Sequence, residues 1–379
     1  MIKLVVLGVS GSIGKQVLQI VRENRHEFEI VGISVNTSTN ELESIVNEFP
    51  SIKLVCISNK EKYLDFMKNS LLDVTNNLLD LIHLDGVNMV VNAIVGIAGL
   101  APTIETINLG LDLALANKES IVCGGDYLKS KLEKSKTKIY PIDSEHSAIA
   151  QCLVGEDKSS IRNLIITASG GPFRDMSLKD LDNVTKEDAL NHPNWKMGSK
   201  ITIDSATLVN KGLEIIEAHY LFDIPYEKIS AVIHYESIIH SMVEFADGSI
   251  KAQLGVPSME IPIQYALYRL KHHKKENQNF DFSKAFNLHF KPIDLDRFES
   301  VKLAYEVGYK GGSAPLVYNS ANEQAVKMFL NDLISFKDIV PIISCAVKKF
   351  ENEYVSSLED ILELDVKVRE YVKNKFKKG

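Results

Sequence analysis

The strongest constraint on the fold lies in the first fourteen residues. The apolar run Ile2-Lys-Leu-Val-Val-Leu7 passes directly into Gly8-Val-Ser-Gly-Ser-Ile-Gly14, and beyond it apolar residues recur at helical spacing. A buried strand that turns on glycines into a helix is the opening unit of a doubly wound parallel sheet. The glycines let the backbone turn tightly and approach a pyrophosphate at the helix N-terminus. A structural turn with no ligand is the alternative for such a motif taken alone. Strands are expected at 2–7, 29–35, 53–58, 89–93, 120–123 and 138–142, with a helix over 14–25 after the first. Short apolar strands separated by helix-length segments make a mostly parallel sheet.

The pattern then changes. Strands are expected at 163–166, 231–234, 241–245 and 249–253, the last two joined by a hairpin at Asp247-Gly248, with a long amphipathic helix over 205–222. Residues 271–298 are polar and read as a connector. Helices follow at 301–307, 319–329, 336–350 and 358–376. The fold class is therefore α/β: an N-terminal Rossmann-like doubly wound sheet over 1–142, a central α+β domain over 143–270, the connector over 271–298 and a C-terminal helical domain over 299–379.

Composition narrows the function. With 379 residues, 45% hydrophobic and 25% charged, the chain is of ordinary globular type. A net charge of -7 argues against nucleic-acid binding through a broad basic surface, and the runs Lys271 to Lys275 and Lys373 to Lys378 read as solvated faces. The longest apolar stretch, 89–101, is interrupted by Asn92, Gly96 and Gly99 and stopped by Pro102, too short for a membrane span. The N-terminus enters a strand with none of the regions of a signal peptide. Cys56, Cys123, Cys152 and Cys345 lie far apart, without zinc or disulfide spacing. A cytoplasmic protein without membrane or nucleic-acid partners is expected.

The second strand bears on the nucleotide. It ends Ser34-Val-Asn-Thr-Ser-Thr39, with no acid until Glu41. A carboxylate there would take a ribose 2′-hydroxyl, whereas the uncharged Asn36, Thr37 and Ser38 can donate to a 2′-phosphate. NADP is the better match.

Two further clusters carry chemistry. Pro141-Ile-Asp-Ser-Glu-His146 closes a strand, and Asp143 and Glu145, two apart, leave an extended chain on one face. Hard oxygen donors at the C-terminal edge of a parallel sheet suit Mg²⁺ or Mn²⁺, the alternative being a solvated strand end with a helix cap. On the 205–222 helix, Thr207, Asn210, Lys211 and Glu214 share a stripe opposite the apolar face. The stripe is either a third metal donor with substrate contacts or a solvent face with a Lys211–Glu214 pair. Ala168-Ser-Gly-Gly-Pro-Phe173 offers a hydroxyl and bare N–H groups to an anion. His192-Pro-Asn-Trp-Lys-Met-Gly198 places the single Trp in a turn-rich segment suited to a flap over substrate, near 190–199. His234 and His240 are expected to be structural.

Taken in order and spacing, Gly8 to Gly14, Leu115-Ala-Asn-Lys-Glu-Ser120, Pro141 to His146, Ser169 to Arg174, His192 to Gly198 and Asp204 to Glu217 resemble the 1-deoxy-D-xylulose 5-phosphate reductoisomerase family. Gln253-Leu-Gly-Val-Pro-Ser-Met259 and Asn319-Ser-Ala-Asn-Glu323 extend the likeness over nearly the whole chain. The resemblance implies a homodimer that converts 1-deoxy-D-xylulose 5-phosphate to 2-C-methyl-D-erythritol 4-phosphate in non-mevalonate isoprenoid biosynthesis. It implies NADPH and a divalent cation as cofactors, and a retro-aldol and aldol rearrangement followed by hydride reduction. By this resemblance Asp143, Glu145 and Glu214 hold the metal and, with Lys211, form the catalytic set. Ser144, Glu145, Ser169, His192, Ser205, Asn210, Lys211 and Glu214 contact substrate. Ser10, Gly11, Ser12, Ile13, Asn117, Lys118, Glu119 and Gly198 fall on cofactor positions, Trp195 and Met197 on the flap, and Met259 beside the site.

Two departures stand out. Ser10 replaces the family's usual Thr, and Val35-Asn-Thr-Ser38 replaces the frequent Ala-Gly-x-Asn, which leaves the 2′-phosphate contacts open. The rivals are another NADP-dependent dehydrogenase, which needs no carboxylate cluster, and a catalytically silent nucleotide-binding regulator, which needs no polar stripe.

Overall fold

The computed structural model describes residues 1–177, 179–195, 197–274, 280–283, 285–351 and 353–376. Parts of the connector expected over 271–298, Lys275, Lys377, Lys378 and the flap residue Lys196 lie outside the described residues. The chain packs as two compact units. The first comprises Met1–Ser120, Ser130–Ser147 and Met259–Lys274, and the second Ile121–Lys129, Ala148–Ser258 and Lys275–Gly379.

The first unit holds a seven-stranded parallel sheet. In chain order its strands are β1 (Ile2–Leu7), β2 (Phe28–Val35), β3 (Leu54–Ile57), β4 (Val74–Thr75), β5 (Met89–Asn92), β6 (Asp112–Leu115) and β7 (Ile139–Pro141), arranged β4-β3-β2-β1-β5-β6-β7. Strand order reverses between β1 and β5, so the crevice that such sheets use for ligands opens at the end of β1, where the glycine turn begins. Leu4, Val6, Ile30, Ile33 and Val91 are fully buried, and the helix Glu260–Leu267 adds Ile263, Ala266 and Leu267 to the same core. The run expected as a strand at 120–123 is instead part of the helix Lys118–Leu132, and the strand is β6, just before it. A short apolar run has no period of its own. Here Asn117 decides the matter, its Oδ1 accepting from Ser120 N at 2.9 Å and so fixing a helix start.

The second unit is built on a five-stranded mixed sheet. Its strands are β8 (Ile161–Ala168), β9 (Ile229–His234), β10 (Ile239–Phe245), β11 (Ile250–Leu254) and β12 (Phe290–Pro292), in the order β11-β10-β8-β9-β12. The hairpin expected at Asp247-Gly248 joins β10 to β11. Helices Glu299–Lys310, Ala314–Leu330, Ile339–Lys349 and Leu358–Phe376 form the C-terminal part. Among the described residues no helix is long and apolar enough to cross a membrane.

The single helix expected over 205–222 is two, Ser199–Ala206 and Val209–Phe222. Leu208 between them is left-handed, at φ 55° and ψ 14°. Thr207, expected on the polar stripe, lies in this break; its hydroxyl bonds back to Ile203 O at 3.1 Å and its carbonyl accepts from Ser300 Oγ at 2.5 Å. Both helices still pack against the helix Ala314–Leu330.

Gly212 shows how tightly the second of these helices is packed. A Cβ at this position would lie 2.7 Å from both Ala304 Cβ and Tyr318 Oη. Gly212→Ala is therefore expected to lose about 1–3 kcal/mol of stability despite the better helix propensity of Ala. Urea unfolding checks this, and an unchanged or raised midpoint would contradict the packing.

Candidate active site

The glycine turn is shaped by the strand beside it. Gly8 has φ 84°, and a Cβ there would meet Ala93 O at 2.7 Å, while one on Gly14 would lie 2.4 Å from Gly8 O. Ser34 at the end of β2 is buried, and its Oγ accepts from Gly8 N at 3.0 Å while its carbonyl accepts from Val9 N at 2.9 Å. The helix Ser12–Glu23 starts from Gly11, which has no side chain to cap the first turn. Ser10, Gly11, Ser12 and Ile13 line this start. Asn36, Thr37 and Ser38 are exposed just past β2. Glu41, the first acid beyond them, is paired with Lys15 at 3.0 Å.

Other residues placed on the cofactor by resemblance serve a buried network. Asn117 Nδ2 donates to Ile94 O at 2.7 Å and Gly96 O at 2.9 Å, and Asn92 Nδ2 donates to Gly99 O and Thr103 Oγ1, both at 2.9 Å. Together these amides hold the loop after β5. Glu119 accepts from Asn117 at 3.1 Å, and Lys118 reaches Asp143, 2.7 Å from Oδ2.

Asp143 and Glu145 come together differently from the expectation. They do not share the face of an extended strand, because the helix Ser144–Cys152 begins between them. Asp143 sits at its start, its carbonyl accepting from Ser147 N at 2.8 Å, and Glu145 lies in the first turn. The strand-to-helix turn brings a carboxylate oxygen of each within 4.8 Å of the other. Ser144 Oγ donates to Glu145 Oε2 at 2.6 Å. Burial alone would raise the Asp143 carboxyl, but the Lys118 ammonium and His146, its Nδ1 3.5 Å away, outweigh it and hold the group well below the usual carboxylate range. Met259, expected beside the site, packs on the hydrophobic core of this unit.

In the second unit the residues expected to bind an anion converge on one imidazole. His192 Nε2 lies 3.0 Å from Ser169 Oγ and 3.1 Å from Ser205 Oγ. Its Nδ1 accepts from Asn194 N at 3.2 Å and Trp195 N at 2.9 Å. Two N–H donors on Nδ1 leave no room for a proton there, so the ring is the Nε2–H tautomer and donates toward the serines. Burial, and then the charge of Arg174, pushes His192 down to about 4. Trp195 is half-buried, its ring 6.2 Å from that of His240, and Gly198 starts the helix Ser199–Ala206.

The polar stripe is not a solvent face. Lys211 and Glu214 are 3% and 1% exposed, and their side chains form an ion pair. Lys211 Nζ also donates to Thr167 O, and Asn210 Nδ2 donates to the other Glu214 oxygen. An ammonium and a carboxylate buried on an otherwise packed helix are costly unless paired and used.

Sequence reasoning passed over Ser34, Asn92, Asn194 and Tyr235. A hydroxyl inside the apolar run Ile30 to Val35 was a usable signal for Ser34; the others had none.

With Nδ1 saturated, His192 is expected to remain neutral from pH 5 to 8, which ¹⁵N NMR of the imidazole reads directly. A midpoint near 6.5 would contradict the assignment. The sign for stability follows: below pH 6.5 the unfolded chain takes this proton first, so stability is full above 6.5 and falls as pH drops toward 4.

Comparison with known proteins identifies the family. Family profiles described as 1-deoxy-D-xylulose 5-phosphate reductoisomerase, its C-terminal domain, and DXP reductoisomerase C-terminal domain match residues 4–125, 139–222 and 254–371. A relative from Clostridium kluyveri, named 1-deoxy-D-xylulose 5-phosphate reductoisomerase, is 48% identical over 99% of this chain and 100% of its own length. A crystal structure of DOX-P reductoisomerase with NADPH, fosmidomycin and magnesium superposes with a TM-score of 0.93 at 36% identity, covering 99% of this chain and 98% of the other. The Zymomonas mobilis enzyme with NADPH gives 0.91 at 37%, over 99% of each chain. The chain belongs to the 1-deoxy-D-xylulose 5-phosphate reductoisomerase family.

Proposed function

We propose that this chain rearranges and reduces 1-deoxy-D-xylulose 5-phosphate to 2-C-methyl-D-erythritol 4-phosphate, as an NADP-dependent oxidoreductase of non-mevalonate isoprenoid biosynthesis. The observation that carries the reading is the buried Lys211–Glu214 pair with Asn210, on a chain that matches the family from end to end.

The residues present fit both cofactors. Asp143 and Glu145 offer hard oxygen donors, with Asp143 held ionised, and the glycine turn leaves a helix start open to a pyrophosphate. Asp143, Glu145 and Glu214 would hold Mg²⁺ or Mn²⁺. Ser10, Gly11, Ser12, Ile13, Asn117, Lys118, Glu119 and Gly198 would hold NADPH, with Asn36, Thr37 and Ser38 at its 2′-phosphate. When bound, NADPH supplies the hydride and the cation supplies Lewis-acid polarisation of substrate oxygens.

The chain's own groups bind and orient. His192 donates from Nε2, and Ser169, Ser205, Asn210 and Lys211 complete the phosphate contacts, with Ser144 on the sugar. Binding energy from the phosphate then positions the reacting carbons. Trp195 and Met197, on the flap near 190–199, exclude water. By function we assign 1–142 to NADPH, 143–270 to metal and substrate, 271–298 to a connector and 299–379 to helical support. The enzyme works as a cytoplasmic homodimer, without membrane or nucleic-acid partners.

Glu214→Gln tests the metal assignment. Turnover is expected to fall about 100-fold or more, with weakened Mn²⁺ binding by calorimetry and NADPH binding retained. Wild-type metal binding in this variant would remove Glu214 from the site, and loss of NADPH binding would overturn the division of labour.

A further inference from the structure

The connector between β9 and β10 gathers bonds from both the loop bearing Ser169 and the segment bearing Trp195. Tyr235 O accepts from Asn194 Nδ2 at 2.9 Å and from Arg174 Nη1 at 3.4 Å. Arg174 Nη1 also donates to Ser169 O at 2.7 Å, and its guanidinium lies 4.2 Å over the Tyr235 ring. Tyr235 Oη donates to Asp175 Oδ1 at 2.8 Å, fixing that ring under the cation. Asn194 Nδ2 is shared with a second acceptor on the connector, Ser237 Oγ, at 2.8 Å. Because the Asn194 and Trp195 N–H groups also hold His192 Nδ1, one chain of bonds runs from Ser169 through Arg174, Tyr235 and Asn194 to His192 and Trp195.

The connector is stiff enough to transmit a displacement. Ser237 is buried with φ 53°, a conformation that costs energy for any residue but glycine. His234 holds the turn around it. Its Nε2 accepts from Ile238 N at 3.2 Å, its Nδ1 donates to His289 O at 3.0 Å, and its ring stacks on Phe290 at 4.6 Å. A strained residue persists only where its surroundings over-determine it, and these contacts do so.

We propose that Tyr235 and Ser237 are positioning residues that couple the phosphate loop to the flap. A phosphoryl group that takes the His192 Nε2–H shifts the imidazole, and the bonds on Nδ1 carry the shift to Asn194 and Trp195. The connector sets the resting position from which both move. This rests on the assignment of Ser169 and His192 to the substrate phosphate.

Trp195, the single Trp of the chain, reports the coupling by its fluorescence. Wild type, Ser237→Gly and Asn194→Ala are titrated with inorganic phosphate and with 1-deoxy-D-xylulose 5-phosphate, with NADPH binding as the check on folding. Ser237→Gly removes the hydroxyl while relieving the backbone, and Asn194→Ala breaks the same bond from the half-exposed side. In both variants the half-saturating concentration and the KM for the sugar phosphate are expected to rise about three- to tenfold, and the Trp195 signal at saturation to shrink. Wild-type midpoints and amplitudes in both variants, with the wild type responding, would overturn the coupling alone. A wild type that responds to neither ligand would overturn the phosphate assignment and the coupling with it. If Ser237→Gly loses NADPH binding, Asn194→Ala decides.

Discussion

An ammonium and a carboxylate lie paired inside the second unit, and the architecture around the helix Val209–Phe222 follows from accommodating them. Lys211 and Glu214 are almost entirely removed from water. Desolvation on this scale is offset only if each charge keeps partners, and here Thr167 O and Asn210 supply them. The break at Leu208 lets the helix start where those partners can be reached, and Gly212 lets it press against the helices bearing Ala304 and Tyr318. Packing that close fixes the helix backbone that carries Asn210, Lys211 and Glu214.

The cluster around His192, proposed to take the phosphate, works on a different principle. Its donors are a neutral imidazole and two hydroxyls, with the tautomer dictated by backbone N–H groups on Nδ1. Such a set is indifferent to pH across the physiological range and leaves the fixed positive charge to Lys211. Asp143 shows the converse, a buried carboxyl kept charged by Lys118 and His146. In each case the protonation state is set by neighbours that the fold places, before any ligand arrives.

Much of this was legible in the sequence, for identifiable reasons. The glycine turn between strand and helix has one structural solution, and the strands around it are continuous apolar runs set off by helix-length segments. The stripe Asn210, Lys211 and Glu214 was visible from spacing, although only tertiary packing could decide between a solvent face and a buried site. The misreadings were local. At 120–123 an apolar run was too short to show its period, and the cap at Asn117 decided it. At Asp143 and Glu145 the pleat was invoked where a strand-to-helix turn does the placing. The break at Leu208 has no signal of its own, since a leucine at positive φ is imposed by its surroundings. The bonds gathered at Tyr235 were invisible because its carbonyl accepts most of them, and its ring contact with Arg174 joins residues far apart in the chain.

The central claim is that one chain couples a metal-dependent rearrangement to hydride transfer from NADPH. NADPH absorbance, followed with saturating 1-deoxy-D-xylulose 5-phosphate, first with Mg²⁺ and then with a chelator, tests it most directly. The account predicts oxidation that requires both the sugar phosphate and the metal. Oxidation that survives complete metal removal would contradict it and point to a plain dehydrogenase.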